Sequence, residues 1–284
     1  MRDTIYIYNG ERRQSSVLSM MLRNFGTPFA KNGLKTVPVF AEDILKGCWI
    51  DNAAAIIFGG AESTIFRNAL SPDGIFRKDI IRDAHNAGVH FAGYCGGAFI
   101  GWDHVEFTGA YNYKRQGEGF GLYPRKSFGA AAGFTPNDFT GRSDSAAIIP
   151  LYHPATGKSF RSLYCCGPYF PLEDMPPDAT PIAIARHPAT GEDVVMGIQI
   201  PAKNGCGSVT LYGHHPEYLA DFIDFRTREI PSLPVEDARL RAEAHSHARN
   251  ILLGYNLMLY DLKTAMGLMP DKPQPLIFPQ AALG

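Results

Sequence analysis

Short apolar runs alternate with helix-like segments through the first hundred residues, and this alternation constrains the fold more than any other feature of the sequence. The run AAAIIFGG, residues 53–60, is apolar up to its two glycines, which is typical of a strand buried on both faces. Further strands are predicted in TIYIYNG, KTVPVF and VHFAGYC, at residues 4–10, 35–40 and 89–95. Strands buried on both faces need helices on both sides, so the pattern predicts a three-layer α/β fold with a mostly parallel central sheet.

Two helices are predicted between these strands. The first begins at Ser15 or Ser16, either of which can cap it, and Gly26 is its expected end. The second covers KDIIRDAHNAG, residues 78–88, and ends on a glycine. Residues 108–145 are rich in glycine, alanine and aromatic residues and weakly periodic, which predicts irregular loops and short strands over the sheet edge.

Strands return in the second half of the chain, in AAIIPLY, PIAIAR, VVMGIQI and SVTLYG. Two turns in this half share the sequence HPATG, which predicts two hairpin connections. Residues 236–267 are predicted to form a helical C-terminal extension with Gly254 as a candidate kink, followed by a proline-rich tail at residues 268–284. No segment resembles a long linker, so residues 1–284 are predicted to form one domain.

Composition and charge exclude several classes of function. The chain has 27 Lys and Arg against 28 Asp and Glu, and its net charge of -1 favours neither nucleic acid nor a membrane as a partner. No apolar run approaches the roughly 20 residues that a membrane-spanning helix needs. The five cysteines contain no CxxC pair, so no metal site and no disulfide framework are predicted, and a cytoplasmic location is expected. No cofactor is expected.

Cys95 lies at the end of a predicted strand, within GYCGGAFIGW. Ligands of open α/β sheets bind beyond the carboxyl ends of the strands. A helix starting after Cys95 would bring partial positive charge and free N–H groups to the sulfur, with the Gly96 N–H as an oxyanion donor. Gly93 and Gly97 supply further small neighbours for such a turn. The same stretch also fits a buried structural cysteine among closely packed glycines.

Two other segments can complete a site at this sheet edge. His215 and Glu217 in GHHPEY lie two residues apart, so on an extended segment they share a face and the carboxylate can orient the imidazole. A polar turn after an edge strand explains them as well. The neighbouring His214 is expected to face away.

A glycine-rich loop follows the strand in IIFGGAES. Its glycines, Gly59 and Gly60, place backbone N–H groups at the same sheet edge, where one can be a second oxyanion donor. Glu62, two residues further on, is a candidate substrate contact, although a solvated loop position explains this residue equally well.

These elements occur in the order found in class I glutamine amidotransferases: a glycine-rich oxyanion loop, a G-x-C-x-G cysteine elbow and a late H-P-E. The sequence resembles more specifically the amidotransferase-like domain at the N-terminus of eukaryotic-type biotin–protein ligases, which also exists as free-standing bacterial proteins. The matching stretches are IYIYNG, IIFGGAES, FAGYCGGAFIGWDHVEF and GHHPEY. The resemblance implies a flavodoxin-like fold and a catalytic triad of Cys95, His215 and Glu217.

The sequence departs from the amidotransferase pattern at Phe58, where a proline commonly precedes the glycines, and it lacks the G-R-G-R-x-G motif of the biotin ligase module. The resemblance implies a cysteine-dependent amidohydrolase or amidotransferase-like enzyme. Its substrate would be a small-molecule amide or acyl compound, and a synthetase or other acceptor would be a further partner. Two alternatives stay open. One is a non-catalytic regulatory or small-molecule-binding module, and the other is a redox or carbonyl-stress protein that also uses an elbow cysteine.

Overall fold

A computed structural model of the 284-residue chain describes residues 2–10, 16–109, 114–137, 143–229 and 234–268. Eight α-helices and twelve strands lie in these ranges. The helices are α1 (Ser16–Ala30), α2 (Ala41–Lys46), α3 (Ser63–Ala69), α4 (Lys78–Asn86), α5 (Gly96–Ile100), α6 (Ala220–Glu229), α7 (Pro234–Ser246) and α8 (Ala248–Ala265). The strands are β1 (Thr4–Tyr8), β2 (Lys35–Pro38), β3 (Ala53–Phe58), β4 (His90–Tyr94), β5 (Trp102–Thr108), β6 (Lys114–Glu118), β7 (Tyr123–Gly129), β8 (Ala147–His153), β9 (Lys158–Tyr164), β10 (Thr180–Arg186), β11 (Asp193–Ile200) and β12 (Val209–Tyr212).

Nine of these strands form one central sheet in the order β2-β1-β3-β4-β12-β11-β10-β8-β9. Neighbouring strands are parallel from β2 to β12 and antiparallel from β12 to β9. The predicted α/β class is confirmed, with a mixed sheet whose parallel part contains five strands. None of the helices in the described ranges is long and apolar enough to cross a bilayer.

Alternate side chains of β3 enter two different core layers, which explains its uninterrupted apolar sequence. Ala55 and Ile57 pack in the layer formed with α1, α6, α7 and α8. Ile56 and Phe58 pack in the opposite layer, with residues of α2, α3, α4 and α5. Successive side chains of a strand point to opposite faces, so a strand between two helical layers has no polar face.

The two HPATG segments form hairpin turns, as predicted. Residues 153–157 connect β8 to β9, and residues 187–191 connect β10 to β11. In each turn the Nδ1 atom of the histidine accepts a hydrogen bond from the backbone N–H of the threonine three residues later, at 3.2 Å for His153 and 3.1 Å for His187. The repeated sequence therefore reflects the same local hydrogen bonding in both turns.

Helix α1 continues to Ala30, so the predicted end at Gly26 is wrong. Its last turn buries Phe29 against the sheet, and this burial outweighs the low helix propensity of glycine. Pro28 lacks the N–H that would donate to the Asn24 carbonyl, and the Tyr255 hydroxyl donates to that carbonyl instead. The predicted helix start at Ser15 lies outside the described residues, and Ser16 is the first residue of the helix.

The C-terminal helical segment is divided at His247 and not at Gly254. Helix α7 ends at Ser246, and α8 begins at Ala248 and continues through Gly254. A β-carbon at position 254 would lie 2.6 Å from Cδ2 of Phe160, so the glycine allows α8 to pack closely on β9. The proline-rich tail lies outside the described residues beyond Leu268.

The described part of residues 108–145 contains short strands, as predicted, but they belong to a sheet of their own. Strands β5, β6 and β7 form a separate three-stranded sheet in the order β6-β5-β7. Strand β5 begins two residues after the end of α5, so this small sheet adjoins the segment that follows Cys95.

A buried polar cluster attaches α8 to the central sheet. The Asp261 side chain, in a residue that is 4% exposed, accepts hydrogen bonds from the Tyr212 hydroxyl and from Nε2 of His153, each at 2.9 Å. Burial raises the pKa of the Asp261 carboxyl, although the hydrogen bonds from His153 and Tyr212 act in the opposite direction. The carboxyl satisfies two buried donors from different strands, and we expect it to matter for stability.

Replacing Asp261 with alanine is expected to lower the free energy of unfolding by about 3–5 kcal/mol, because two buried donors would lose their acceptor. Asp261→Asn keeps one acceptor oxygen and should cost less. Denaturant unfolding measures both effects. Asp51→Ala, at an exposed turn position, is the control and should change stability by about 0.5 kcal/mol or less. Equal effects of Asp261→Ala and Asp51→Ala would contradict the assignment.

Candidate active site

Cys95 occupies a strained turn between β4 and α5. Its backbone angles are φ 49° and ψ -109°, in a region that residues with a β-carbon rarely adopt. The Cys95 N–H donates to the Tyr212 carbonyl at 2.8 Å, and its carbonyl accepts from the N–H groups of Ala98 and Phe99 at 3.0 Å. These bonds hold the residue in place at the carboxyl end of β4.

The glycines around Cys95 are required by close backbone packing. A β-carbon would lie 2.4 Å from the Gly97 carbonyl oxygen at position 93, 1.4 Å from the Ala61 oxygen at position 96, and 2.3 Å from the Phe58 oxygen at position 97. No other residue type fits these positions without movement of the backbone. The turn has the strand–cysteine–helix geometry that the sequence predicted.

His215 and Glu217 form a buried pair beside Cys95. Nδ1 of His215 lies 2.9 Å from Oε1 of Glu217, and the two residues are 5% and 0% exposed. The His215 N–H donates to the Leu163 carbonyl at 2.7 Å, which fixes the start of this segment against β9. The Cys95 side chain acts electrostatically on the His215 imidazole, so the two side chains are neighbours. The structure therefore brings the three sequence-predicted side chains together.

The pKa of His215 lies well above its usual value of 6.5. Burial by itself lowers this pKa, but the charges of Glu217 and Cys95 and the hydrogen bonds to both residues raise it by more. The protonated imidazole is therefore stabilised at this position.

His214 lies in a different environment from His215. Its Nδ1 atom is 2.9 Å from the Ser162 hydroxyl oxygen, and its ring packs edge-on against Tyr212. Complete burial lowers its pKa to about 3, so the ring is neutral near pH 7. The prediction that His214 faces away from the site agrees with these contacts.

The loop after β3 lies across both Cys95 and His215. The Gly59 N–H donates to the Tyr8 carbonyl at 3.0 Å, so this amide already has an acceptor. Gly60 lies against the His215 ring, because a β-carbon there would be 2.3 Å from Cε1. The Ala61 carbonyl packs against Gly96, as described above. The loop thus contacts Gly96, the residue after the cysteine, and also the ring of His215.

Glu62 is directed toward the surface next to this loop. Its Oε2 atom accepts from the Thr64 hydroxyl at 3.3 Å and lies 3.5 Å from Nη1 of Arg115 on β6. The Glu62 side chain is 60% exposed. A role in substrate contact stays a prediction.

Sequence reasoning missed three residues that support the site. Nδ2 of Asn24, on α1, donates to the Glu217 carbonyl at 3.2 Å. The Tyr218 ring packs on His215 with a centroid distance of 4.6 Å. The Cys165 carbonyl lies 3.6 Å from Sγ of Cys95. Tyr218 is part of the GHHPEY stretch, whereas no local pattern marks Asn24 or Cys165, because their proximity depends on the tertiary fold.

No group of three or more His, Cys, Asp or Glu side chains suited to a metal ion occurs in the described part of the chain.

Replacing Glu217 with glutamine should reduce stability in a pH-dependent manner. Pairing with Glu217 raises the pKa of His215, so the pair stabilises the fold fully below the unfolded-state pKa of about 6.5 and less as the pH rises through the folded-state pKa. We expect Glu217→Gln to cost about 1–3 kcal/mol at pH 6 and less at pH 9. Urea unfolding at the two pH values measures the difference.

Asp79→Asn is the control for this measurement, because it removes a surface ion pair with Arg77 in which both side chains are more than 40% exposed. It should change stability by less than about 1 kcal/mol. A Glu217→Gln cost that is the same at pH 6 and pH 9 would contradict the proposed charge state of His215.

The fold is that of class I glutamine amidotransferase-like proteins. A solved glutamine amidotransferase from Thermotoga maritima matches 94% of this chain and 99% of its own, with 12% sequence identity and a TM-score of 0.52. At this identity the similarity shows the fold alone.

The chain belongs to the family described as "Biotin-protein ligase, N terminal", whose model matches residues 3–277. The search of curated proteins found no match. Two more distant structures are a ThuA-like protein from Bacteroides uniformis and a cytoplasmic protein from Salmonella typhimurium. The first has a TM-score of 0.41 and 12% identity, and the match covers 75% of this chain and 82% of its own. The second has a TM-score of 0.40 and 9% identity, and the match covers 74% of this chain and 86% of its own. Similarities of this size support no conclusion about the fold or function of this chain.

Proposed function

We propose that this protein is a cysteine-dependent acyl-transfer enzyme, a hydrolase or amidotransferase-like protein that attacks an amide or acyl carbonyl through Cys95. The observation that carries the proposal is the buried His215–Glu217 pair beside a cysteine whose backbone has a positive φ. A structural cysteine needs neither a strained backbone nor a neighbouring histidine with a raised pKa.

The first half-reaction forms a thioester. The Cys95 thiolate attacks the carbonyl carbon, and the carbonyl π electrons move to the oxygen to give a tetrahedral oxyanion. Protonated His215 then donates its proton to the leaving nitrogen or oxygen, the carbon–heteroatom bond breaks, and an acyl-thioester remains on Cys95. The raised pKa of His215 suits this role, because the proton is present at the start of the step.

The second half-reaction regenerates the thiolate. Neutral His215 removes a proton from water or from an amine acceptor, which attacks the thioester carbonyl and displaces Cys95. Glu217 holds the imidazole orientation through its contact with Nδ1, which leaves Nε2 for the proton transfers. In a hydrolase the acceptor is water. In an amidotransferase-like reaction, the ammonia released in the first half-reaction passes to a partner synthetase.

Two backbone amides are assigned to the oxyanion. Gly96 is the first residue of α5, where helix N–H groups have no acceptor within the helix. Gly60 lies against the His215 ring. The Gly59 amide donates to Tyr8, so the proposal assigns it no donor role. Glu62 and Arg115 lie beyond the loop and are assigned to contacts with the distal part of a small-molecule substrate.

The proposal is tested by trapping the acyl intermediate. The protein is mixed with p-nitrophenyl acetate, quenched in acid and digested with trypsin, which isolates Cys95 in the fragment 83–114. We expect an acetyl group on this fragment that hydroxylamine removes, together with a rapid initial release of p-nitrophenolate. Acetylation of exposed Cys48 at the same rate as Cys95 would contradict a specific nucleophile.

A further inference from the structure

A second thiol-bearing residue lies next to the candidate nucleophile. Sγ of Cys95 is 3.6 Å from the carbonyl oxygen of Cys165, which follows β9. From standard bond lengths this oxygen is about 2.4 Å from its own Cα, so Sγ of Cys95 lies at most about 6 Å from Cα of Cys165. Both cysteines are partly exposed, so both are open to small reagents.

A disulfide between the two residues requires a local rearrangement. The Sγ of Cys95 is about 2.8 Å from its own Cα, so the two Cα atoms are at most about 9 Å apart, whereas a disulfide usually joins Cα atoms about 4.4–6.8 Å apart. Cys165 lies in an irregular segment after the end of β9, so its own backbone is not part of a strand.

The neighbouring Cys166 is directed elsewhere. It is 3% exposed, and its Sγ lies 3.4 Å from the Ser145 carbonyl oxygen on the other side of the segment. The adjacent pair therefore contains one cysteine close to Cys95 and one that is buried away from it, which gives the chain an internal control.

We propose that Cys95 and Cys165 form a reversible redox pair in which a hydroperoxide oxidises Cys95 and Cys165 resolves the product as an intramolecular disulfide. The Cys95 thiolate attacks the terminal peroxide oxygen, the O–O bond breaks, and the alkoxide or hydroxide leaves and takes a proton. This step leaves a sulfenic acid on Cys95. The Cys165 sulfur then displaces hydroxide from the Cys95 sulfur, and the thiol proton leaves with it as water.

The two steps balance: one hydroperoxide gains two electrons, and two thiols lose two. His215 lies beside the sulfur that reacts in the first step. The disulfide would remove the nucleophile from acyl transfer and protect it from further oxidation to sulfinic acid. A thiol reductant would restore both thiols.

The test compares wild type, Cys165→Ser and Cys166→Ser after treatment with hydrogen peroxide. Trypsin releases Cys95 in the fragment 83–114 and both other cysteines in the fragment 162–186. We expect a cross-link between these fragments in wild type and in Cys166→Ser, reversed by dithiothreitol, and none in Cys165→Ser. In Cys165→Ser, dimedone should label Cys95, and sulfinic acid should accumulate there about tenfold faster than in wild type.

Three results would overturn the proposal. One is oxidation of Cys95 in wild type without a cross-link, and another is a cross-link that survives in Cys165→Ser but disappears in Cys166→Ser. The third is a Cys95 that resists peroxide while iodoacetamide alkylates it. Because an oxidised Cys95 without a cross-link in wild type overturns the proposal by itself, the test stays falsifiable even if a variant fails to fold. It uses no acyl substrate, so its failure is distinguishable from failure of the proposed acyl transfer.

Discussion

Cys95→Ser is expected to lower the rate of p-nitrophenyl acetate turnover by about a thousandfold or more and to abolish the initial burst. A serine hydroxyl at this position would not ionise beside His215 as a thiol does, and the acyl-enzyme would form too slowly to accumulate. Stopped-flow absorbance at low enzyme concentration measures the burst, and the acetyl group on the fragment 83–114 should disappear with it.

Cys48→Ser is the matched control, because Cys48 is exposed and lies far along the chain from the elements that form the site. It should leave the burst unchanged. Thermal unfolding of both variants separates loss of chemistry from loss of fold. A Cys95→Ser variant that keeps a burst of wild-type size would show that Cys95 is not the nucleophile.

His215→Ala is expected to slow acylation of Cys95 by about a hundredfold to ten-thousandfold near pH 7. The variant loses the proton donor for the leaving group and the positive charge that favours the thiolate. In wild type, iodoacetamide should alkylate Cys95 rapidly below pH 7.5. In the variant, rapid alkylation should require a pH near or above the usual thiol value of about 8.5. Rates of alkylation as a function of pH, read from the mass of the Cys95 fragment, give the comparison.

His214→Asn is the matched control for the adjacent residue. Asparagine can place a polar nitrogen near the Nδ1 position of His214, which contacts the Ser162 hydroxyl, and His214 is neutral near pH 7. We expect its alkylation profile to match that of wild type, with a lower melting temperature. If His215→Ala and wild type have the same profile, the proposed dyad is wrong, and Cys95 acts without His215 or not at all.

These two variants also separate the enzyme from the alternative of a non-catalytic module. An enzyme requires a reactive Cys95 and a burst that depends on His215. A binding module that keeps the fold would show slow alkylation of Cys95 and no hydroxylamine-sensitive acyl group. The family assignment to the biotin–protein ligase N-terminal proteins is compatible with either outcome.

Much of the fold could be predicted because the core layers impose local patterns. The apolar run of β3 reflects burial of alternate side chains in opposite helical layers. The two HPATG turns could be predicted because their hydrogen bonds form within five residues. The helix ends were less predictable: the first helix continues past Gly26 because Phe29 is buried, and the C-terminal segment divides at His247.

The sequence by itself determined the residue types of the candidate site: a cysteine after a buried strand, glycines on both sides of it, and a histidine and a glutamate two residues apart. These are local features, since each depends on the backbone conformation of a few consecutive residues. Only the tertiary structure decided which groups meet. The parallel pairing of β12 with β4 brings His215 to Cys95, and the bridge between Leu163 and His215 brings Cys165 to the same edge. The Cys95–Cys165 contact spans 70 residues, and such proximity arises from strand order, which no local pattern in the sequence records.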